Sequence, residues 1–445
     1  MKEEMKDSGI EWIGLVPKDW DLLRMKDCSY MKGRIGWQGL TADEFIDIGP
    51  YLITGTDFEN GRVVWDRCYH ISEKRYEEAI PIQIKEGDLL VTKDGTIGKL
   101  AYIDYLPDKA SLNSHLLVIR PLRNKYINRF LFWVLSSVVF KGYYSLVSYG
   151  STMDSLSQEK VGEFRFFVPT VAEQKLIANF LDERCKRIDG IVADIENQID
   201  VMNKYKIALI NETVTKGLKG NVEFQDSRVS WIGEIPNTWD VKRIIHLLKM
   251  PITDGPHITP DMYDDGIPFV SAEAVSTGDG KINFNNIWGY ISKEFYNECC
   301  RKYKPELNDI YMIKSGATTG KVAIVDQDRI FNIWSPLAVF RVDSSIMLPK
   351  FMFYSLQADF FQTQVQLGWT YGTQQNIGMR TLEHLKICLP PMNEQIKIVD
   401  YLDEKLAIIN EIIDKKQLQL EKIKSNKSSL IYEYVTGKKR VKVGE

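Results

Sequence analysis

The chain is written twice. DSGIEWIGLVPKDWD at 7–21 returns as DSRVSWIGEIPNTWD at 226–240, and VPTVAEQKLIANFLDER at 168–184 returns as LPPMNEQIKIVDYLDEK at 389–405. Between these anchors KEGDLLVTKDGTIGK (85–99) is loosely echoed by LNDIYMIKSGATTGK (307–321). A sequence of two copies of about 220 residues each must build one frame twice, with an internal pseudo-two-fold repeat. The anchors match and most of the intervening stretches do not. A shared frame with different inserts points to one task performed on two different targets, and the competing account is duplication followed by drift.

The frame itself is helical. From Val171 the apolar residues fall into a heptad, with Leu181, Ile188, Ile195, Met202 and Leu209 at one seam position and Cys185, Val192 and Ile199 at the other. The second copy continues the register with Leu402, Ile409, Ile423 and Leu430, and with Leu406, Ile413, Leu420 and Tyr434. Such spacing is a coiled-coil seam. Thr170 and Glu173 have capping-box spacing, Pro391 suits a first turn, and Gly217 and Gly437 suit the stops. Gly190 falls on the outer face, where it costs about 1 kcal/mol relative to Ala. Lys206, Lys416 and Lys427 occupy seam positions and read either as register-fixing residues or as snorkelling stems. A helix over 171–216 is about 69 Å long at ~1.5 Å per residue, comparable to ~20 base pairs at ~3.4 Å each. The second helix starts where the second globular domain ends, so the two helices are expected to run antiparallel with one domain at each end.

Composition excludes several classes. A net charge of −3 argues against a general polyanion binder, so a nucleic-acid surface must be a local patch. Cys28, Cys68, Cys185, Cys299, Cys300 and Cys388 form no CxxC pair, which signals neither a disulfide framework nor a metal cluster. MKEEMKDSGIEW lacks a signal pattern, and the longest apolar run, Phe130 to Phe140, is shorter than the ~20 residues of a membrane span. A soluble cytoplasmic protein with no membrane partner is expected. GxxGK (95–99) and GxxxGK (316–321) lack phosphate-loop spacing, and no GxGxxG, HExxH or GxSxG is present. No catalytic residue or metal ligand is assigned. The acid pairs Asp182–Glu183 and Asp403–Glu404 read as helix-start residues favoured by the macrodipole.

The inserts carry loop-borne cationic, hydroxyl, amide and aromatic residues of the kind that meet phosphates and base edges. In the first copy they are Lys32, Arg34 and Trp37 (30–40), Lys93, Thr96 and Lys99 (92–99), Ser114 (111–115), and Ser151 and Thr152 (149–156). In the second they are His257 and Thr259 (253–260), Lys314, Thr318, Thr319 and Lys321 (313–321), and Tyr371, Thr373, Gln374 and Gln375 (371–378). Gly-flanked loops let backbone amides approach a phosphate, and Gln374 or Gln375 could pair with adenine. Solvated turns have the same composition. The Trp residues of the two WIG segments belong to the repeated frame and are expected to pack against the helix pair. The tail KKRVKV (438–443) reads equally as a phosphate contact or a solvated terminus.

WIG..P..W at the start of each half, KDGTIGK, YGST, TDGPHITP followed by GIPFVSAEAV, the PxxxEQxxIxxxLDE start of each long helix and its VTKG or VTGK exit resemble Type I restriction-modification specificity subunits over essentially the whole chain. The two glycine turns depart from each other by one residue, so identical contacts are not expected of them. The resemblance implies an α+β fold of two target-recognition domains, 1–168 and 220–389, joined by two long antiparallel coiled-coil helices, 169–219 and 390–445. It implies a non-catalytic subunit that reads a bipartite, asymmetric double-stranded DNA site, one half per domain. Two methylase subunits would bring S-adenosylmethionine and methylate adenine, and two motor-nuclease subunits would bring ATP and magnesium. The competing functions are a coiled-coil tether without DNA readout and the reading part of a modification-only system.

Overall fold

The computed structural model describes residues 4–34, 40–148, 155–218, 220, 222–371 and 375–441. The chain divides into two compact units, one of Met1–Glu196 with Leu418–Glu445 and one of Asn197–Gln417. Each long helix is therefore shared between the units instead of standing apart as its own segment. The cause is burial: Ile177, Leu181, Ile431 and Tyr434 belong to the core of the first unit, and Ile210, Val214, Leu402 and Leu406 to that of the second.

In the first unit a four-stranded antiparallel sheet has the order Leu100–Tyr102, Leu89–Thr92, Leu116–Pro121, Ser29–Gly33. A three-stranded sheet has the order Ala110–Leu112, Ile46–Ile53, Tyr69–His70, with its first pair parallel. The central strands read as unbroken apolar runs because both of their faces are covered. Leu89, Val91, Leu117 and Ile119 enter a core shared with the helices Asn128–Ser136 and Val138–Ser148, while Leu90, Leu116 and Val118 enter a second core with Ile53 and Leu112 of the smaller sheet.

The second unit repeats this plan strand for strand. Its larger sheet has the order Val322–Ile324, Ile310–Ile313, Leu337–Phe340, Thr253–Asp254, and its smaller one Asn332–Ile333, Ile267–Val270, Gly289–Ile291, again with the first pair parallel. The register is repeated too. Val118 pairs with Leu90, and 221 positions on Val339 pairs with Tyr311. Inserts that share little sequence share one topology.

The long helices are Val171–Lys216, 46 residues, and Met392–Val435, 44 residues. Thr170 Oγ1 accepts the Glu173 N–H at 3.3 Å, and the Glu173 carboxylate lies 3.5 Å from Arg440. Pro391 lies just before its helix and its carbonyl accepts the Glu394 and Gln395 N–H groups. Gly437 ends the second helix at φ +69°, where a Cβ would lie 2.4 Å from Pro17. In the first unit Lys427 reaches Asp189 and Lys424 reaches Glu196; in the second Lys416 reaches Gln198 and Lys206 reaches Asn410. One number rises as the other falls, so the helix halves within each unit are antiparallel. Leu181, Ile195, Leu402, Ile409 and Ile413 are buried, and Ile188, Met202, Leu209, Leu420, Ile423 and Leu430 half-buried. The seam lysines keep their stems half-covered while their ammonium groups leave the seam for polar partners.

The second Trp of each WIG segment, Trp20 or Trp239, is buried at a helix end, whereas Trp12 is half-buried beside Gly142 and Trp231 is exposed. Helix packing thus accounts for one Trp of each pair. The described part of the basic tail folds back: Lys438 donates to the Ile13 carbonyl, Lys439 pairs with Glu433, and Arg440 pairs with Asp19. Among the described residues no single helix is long and apolar enough to cross a membrane.

Candidate nucleic-acid interface

The C-terminal ends of Leu89–Thr92 and Ser29–Gly33 and the N-terminal end of Leu116–Pro121 lie at one end of the first unit's larger sheet. The insert loops gather there. Lys93 N–H donates to His115 O at 2.8 Å, and Leu156 N–H donates to Lys93 O at 2.8 Å, tying three segments together. The second unit repeats both bonds: Lys314 N–H to Pro336 O at 2.8 Å and Ile377 N–H to Lys314 O at 2.9 Å. Gly316 N–H further donates to Gln375 O at 3.0 Å, which pins the 375–376 strand beside the glycine turn.

The two glycine turns are closed differently. In the first, Thr92 Oγ1 donates to Thr96 O at 2.5 Å and accepts the Lys99 N–H at 2.9 Å, so the hydroxyl stands at the strand end. In the second, Ile313 holds that place, and Thr319 within the longer turn donates to Gly316 O at 2.7 Å. The one-residue difference in sequence is thus a change in which hydroxyl holds the loop.

At these loop clusters Thr96, Lys99, His257, Thr259, Lys321 and Gln375 are exposed, and Lys93, Ser114, Lys314, Thr318 and Thr319 half-buried. Lys32 is exposed on the edge strand Ser29–Gly33. The Lys321 ammonium donates to Ser276 O at 3.2 Å, and the Thr319 hydroxyl is engaged within its own turn. Arg34 departs from expectation: it is 5% exposed, its guanidinium donates to Leu112 O and Ser111 Oγ, and burial lowers its pKa to about 10. It braces the smaller sheet and is out of reach of a surface ligand. Trp37, Ser151, Thr152, Thr373 and Gln374 lie outside the described residues, as does the side chain of Tyr371.

Two features of this end escaped the sequence reading. His115 Nδ1 stands 3.2 Å from Asp94 Oδ2. In the second unit Asp254, 1% exposed, has Lys302 Nζ at 2.5 Å, His257 Nε2 at 3.1 Å and Lys314 Nζ at 3.4 Å. Burial pushes the Asp254 carboxyl up, but the Lys302 hydrogen bond, with the nearby Lys302 and Lys314 ammonium groups, outweighs it and holds the group below the ordinary carboxylate value. Asp254 lies in TDGPHITP (253–260), and nothing local in the sequence points to Lys302.

The opposite sheet end is built into the helical frame. Gln174 accepts Ile127 N–H and donates to Lys125 O and Pro169 O; Gln395 accepts Leu348 N–H and donates to Ile346 O and Pro390 O. Asp182 binds Arg129 and Trp133 Nε1, and Asp403 binds Lys350 and Tyr354. This corrects the macrodipole reading of these acids. Asp182 stands well past the first turn of a helix that begins at Val171, and the dipole acts only within that turn. Among the described residues no group of three His, Cys, Asp or Glu side chains is placed to hold a metal, and burial pushes the Cys185 and Cys299 thiols up to about 11.

The family model of the Type I restriction modification DNA specificity domain matches twice, over residues 17–201 and 236–422. The type I restriction enzyme MjaVIII specificity subunit of Methanocaldococcus jannaschii is 24% identical over 433 residues, spanning 96% of this chain and 94% of that protein. The type I restriction enzyme EcoBI specificity subunit of Escherichia coli is 26% identical over 345 residues, spanning 74% and 70%. A chain solved in work on complex assembly and conformational transition of the type I R-M system has the same fold, with a TM-score of 0.67 at 16% identity over 95% of this chain and 99% of that one.

Proposed function

This chain belongs to the Type I restriction-modification DNA specificity family, and from that premise we propose that each unit reads one half of a bipartite, asymmetric duplex site while the long helices set the unread gap. The supporting observation is the pairing of one topology with two different loop clusters at the same end of the sheet: a common platform carrying two sets of cationic and polar groups of the kind that meet phosphates and base edges. Two methylase subunits, supplying S-adenosylmethionine, would act on an adenine in each half-site, and two motor-nuclease subunits would supply ATP and magnesium chemistry. On this reading the chain directs catalysis without performing it and works in the cytoplasm beside its DNA.

The test is adenine-methylation mapping in cells that co-express this chain with its methylase, against a methylase-only control. A split motif that appears only with the chain supports the reading. No new methylation from an intact purified complex would favour a coiled-coil tether instead.

A further inference from the structure

The two loop clusters differ most at one register position. Gly33 pairs with Leu117, and 221 positions on Asp254 pairs with Ala338, so the second unit has a buried carboxylate where the first has no side chain. Lys93 and Lys314 occupy equivalent places. The Lys93 ammonium lies 3.3 Å from where a Gly33 Cβ would stand, and the Lys314 ammonium lies 3.4 Å from the Asp254 carboxylate. The second unit therefore keeps the lysine, adds an anion behind it, and brings in the Lys302 ammonium and the His257 imidazole.

We propose that Asp254 is a positioning residue that gathers Lys302, Lys314 and His257 into one cluster which docks a DNA backbone phosphate beside the half-site read by the second unit. The inference rests on the DNA-reading function above and adds the contacted group and the residues that hold it. The three groups come from separate segments: the last turn of the helix Lys293–Lys302, the end of Ile310–Ile313, and the loop after Thr253–Asp254. One carboxylate neutralises one ammonium and leaves at least one positive charge over. Asp254 is 1% exposed and the Lys314 side chain 13%, while the Lys302 and His257 side chains are 52% and 69% exposed, so the cluster opens to solvent through Lys302 and His257, where an outside anion can approach. Ammonium groups are point charges without the fork geometry that reads base edges, which suits them to a phosphate. The loop is held in place from behind, since a Cβ on Gly255 would lie 2.1 Å from Ile333 O.

The experiment measures binding of the full-length chain, wild type, Lys302→Gln and Asp254→Asn, to a fluorescent duplex bearing the mapped site and to one with the second half-site scrambled, from about 50 to about 250 mM salt. Lys302→Gln should weaken binding to both duplexes about 3–10-fold and lower the slope of log K against log salt by about 0.9, with site preference unchanged, all measured below the variant's own melting temperature. Asp254→Asn raises the net positive charge, so plain attraction predicts tighter binding, whereas loss of positioning predicts weaker binding. An unchanged slope and affinity for Lys302→Gln, or tighter binding by Asp254→Asn, overturns the inference. Lys302→Gln carries the test alone if the buried substitution prevents folding. Wild-type protein that fails to prefer the mapped duplex would sink the DNA-reading function instead.

Discussion

The end of each larger sheet that meets the long helices repeats its buried polar side chains in the two units, while the opposite end repeats backbone bonds but changes its side chains. At the first, Asp88 takes two bonds from Arg120 and one from the Lys85 N–H, and Asp309 takes two from Arg341 and one from the Glu306 N–H, with one more from the Tyr303 hydroxyl. Gln174 and Gln395 likewise satisfy the same three kinds of backbone group. At the other end Ile313 stands at the position equivalent to Thr92, and Asp254 at the position equivalent to Gly33. Where a buried polar group must find every partner, few side chains fit and the repeat survives. Loops that face solvent carry no such demand, and there the two copies are free to acquire different chemistry.

The sharpest way to break this comparison is to remove one member of each buried pair. Asp88 and Asp309 are 3% and 1% exposed, so a lone carboxylate left behind in either unit is unpaired and desolvated. Arg120→Met and Arg341→Met should each destabilise their own unit by about 3–5 kcal/mol, read by denaturant unfolding with hydrogen exchange resolved by unit. The double variant Asp309→Leu with Arg341→Met should recover much of the loss, because a buried pair replaced by apolar groups strands no charge. A loss under about 1 kcal/mol in one unit alone would show that the two pairs are not equivalent devices.

The glutamines come next in size. Gln174→Ala and Gln395→Ala each leave one N–H and two carbonyls without their side-chain partner, an expected loss of about 1–3 kcal/mol. If the ends are equivalent, the two losses agree within about 0.5 kcal/mol. A clear inequality in the same unfolding measurement would limit the equivalence to the Asp–Arg pairs.

The same contrast explains what was legible in the sequence. The frame was, because WIG..P..W and the LDE helix start recur as strings and the heptad puts Leu181 and Leu402 in phase. The common topology of the inserts was not: LLVT and IYMI are buried on both faces, so they lack the alternation that marks a half-exposed strand. Loop composition could not separate Arg34, which turns inward to Leu112 O, from an exposed cation such as Lys99. Asp182 escapes the sequence because its partners Arg129 and Trp133 lie about fifty positions away, and only the tertiary fold brings them to it. Lys302 and Asp254 lie 48 positions apart, and only the tertiary fold joins them.

The smallest predicted effect lies where the repeat is interrupted by the chain ends. Arg440, just past the second helix, pairs with Asp19 at 2.7 Å and with Glu173 at 3.5 Å. Its hydrogen bond to Asp19 outweighs slight burial and lowers that carboxyl below its ordinary 3.8. The contribution of a group with a lowered folded-state pKa is present above the unfolded value and lost as pH falls through the folded one. Arg440→Ala should therefore reduce the first unit's stability by only about 0.2–1 kcal/mol near neutral pH, because the Asp19 side chain is largely exposed. The difference between wild type and variant should shrink with added salt, and should close as acid protonates Asp19. A deficit that persists unchanged through both titrations would mean that Arg440 acts by packing its stem on the helix end, and that charge has little part in holding the tail there.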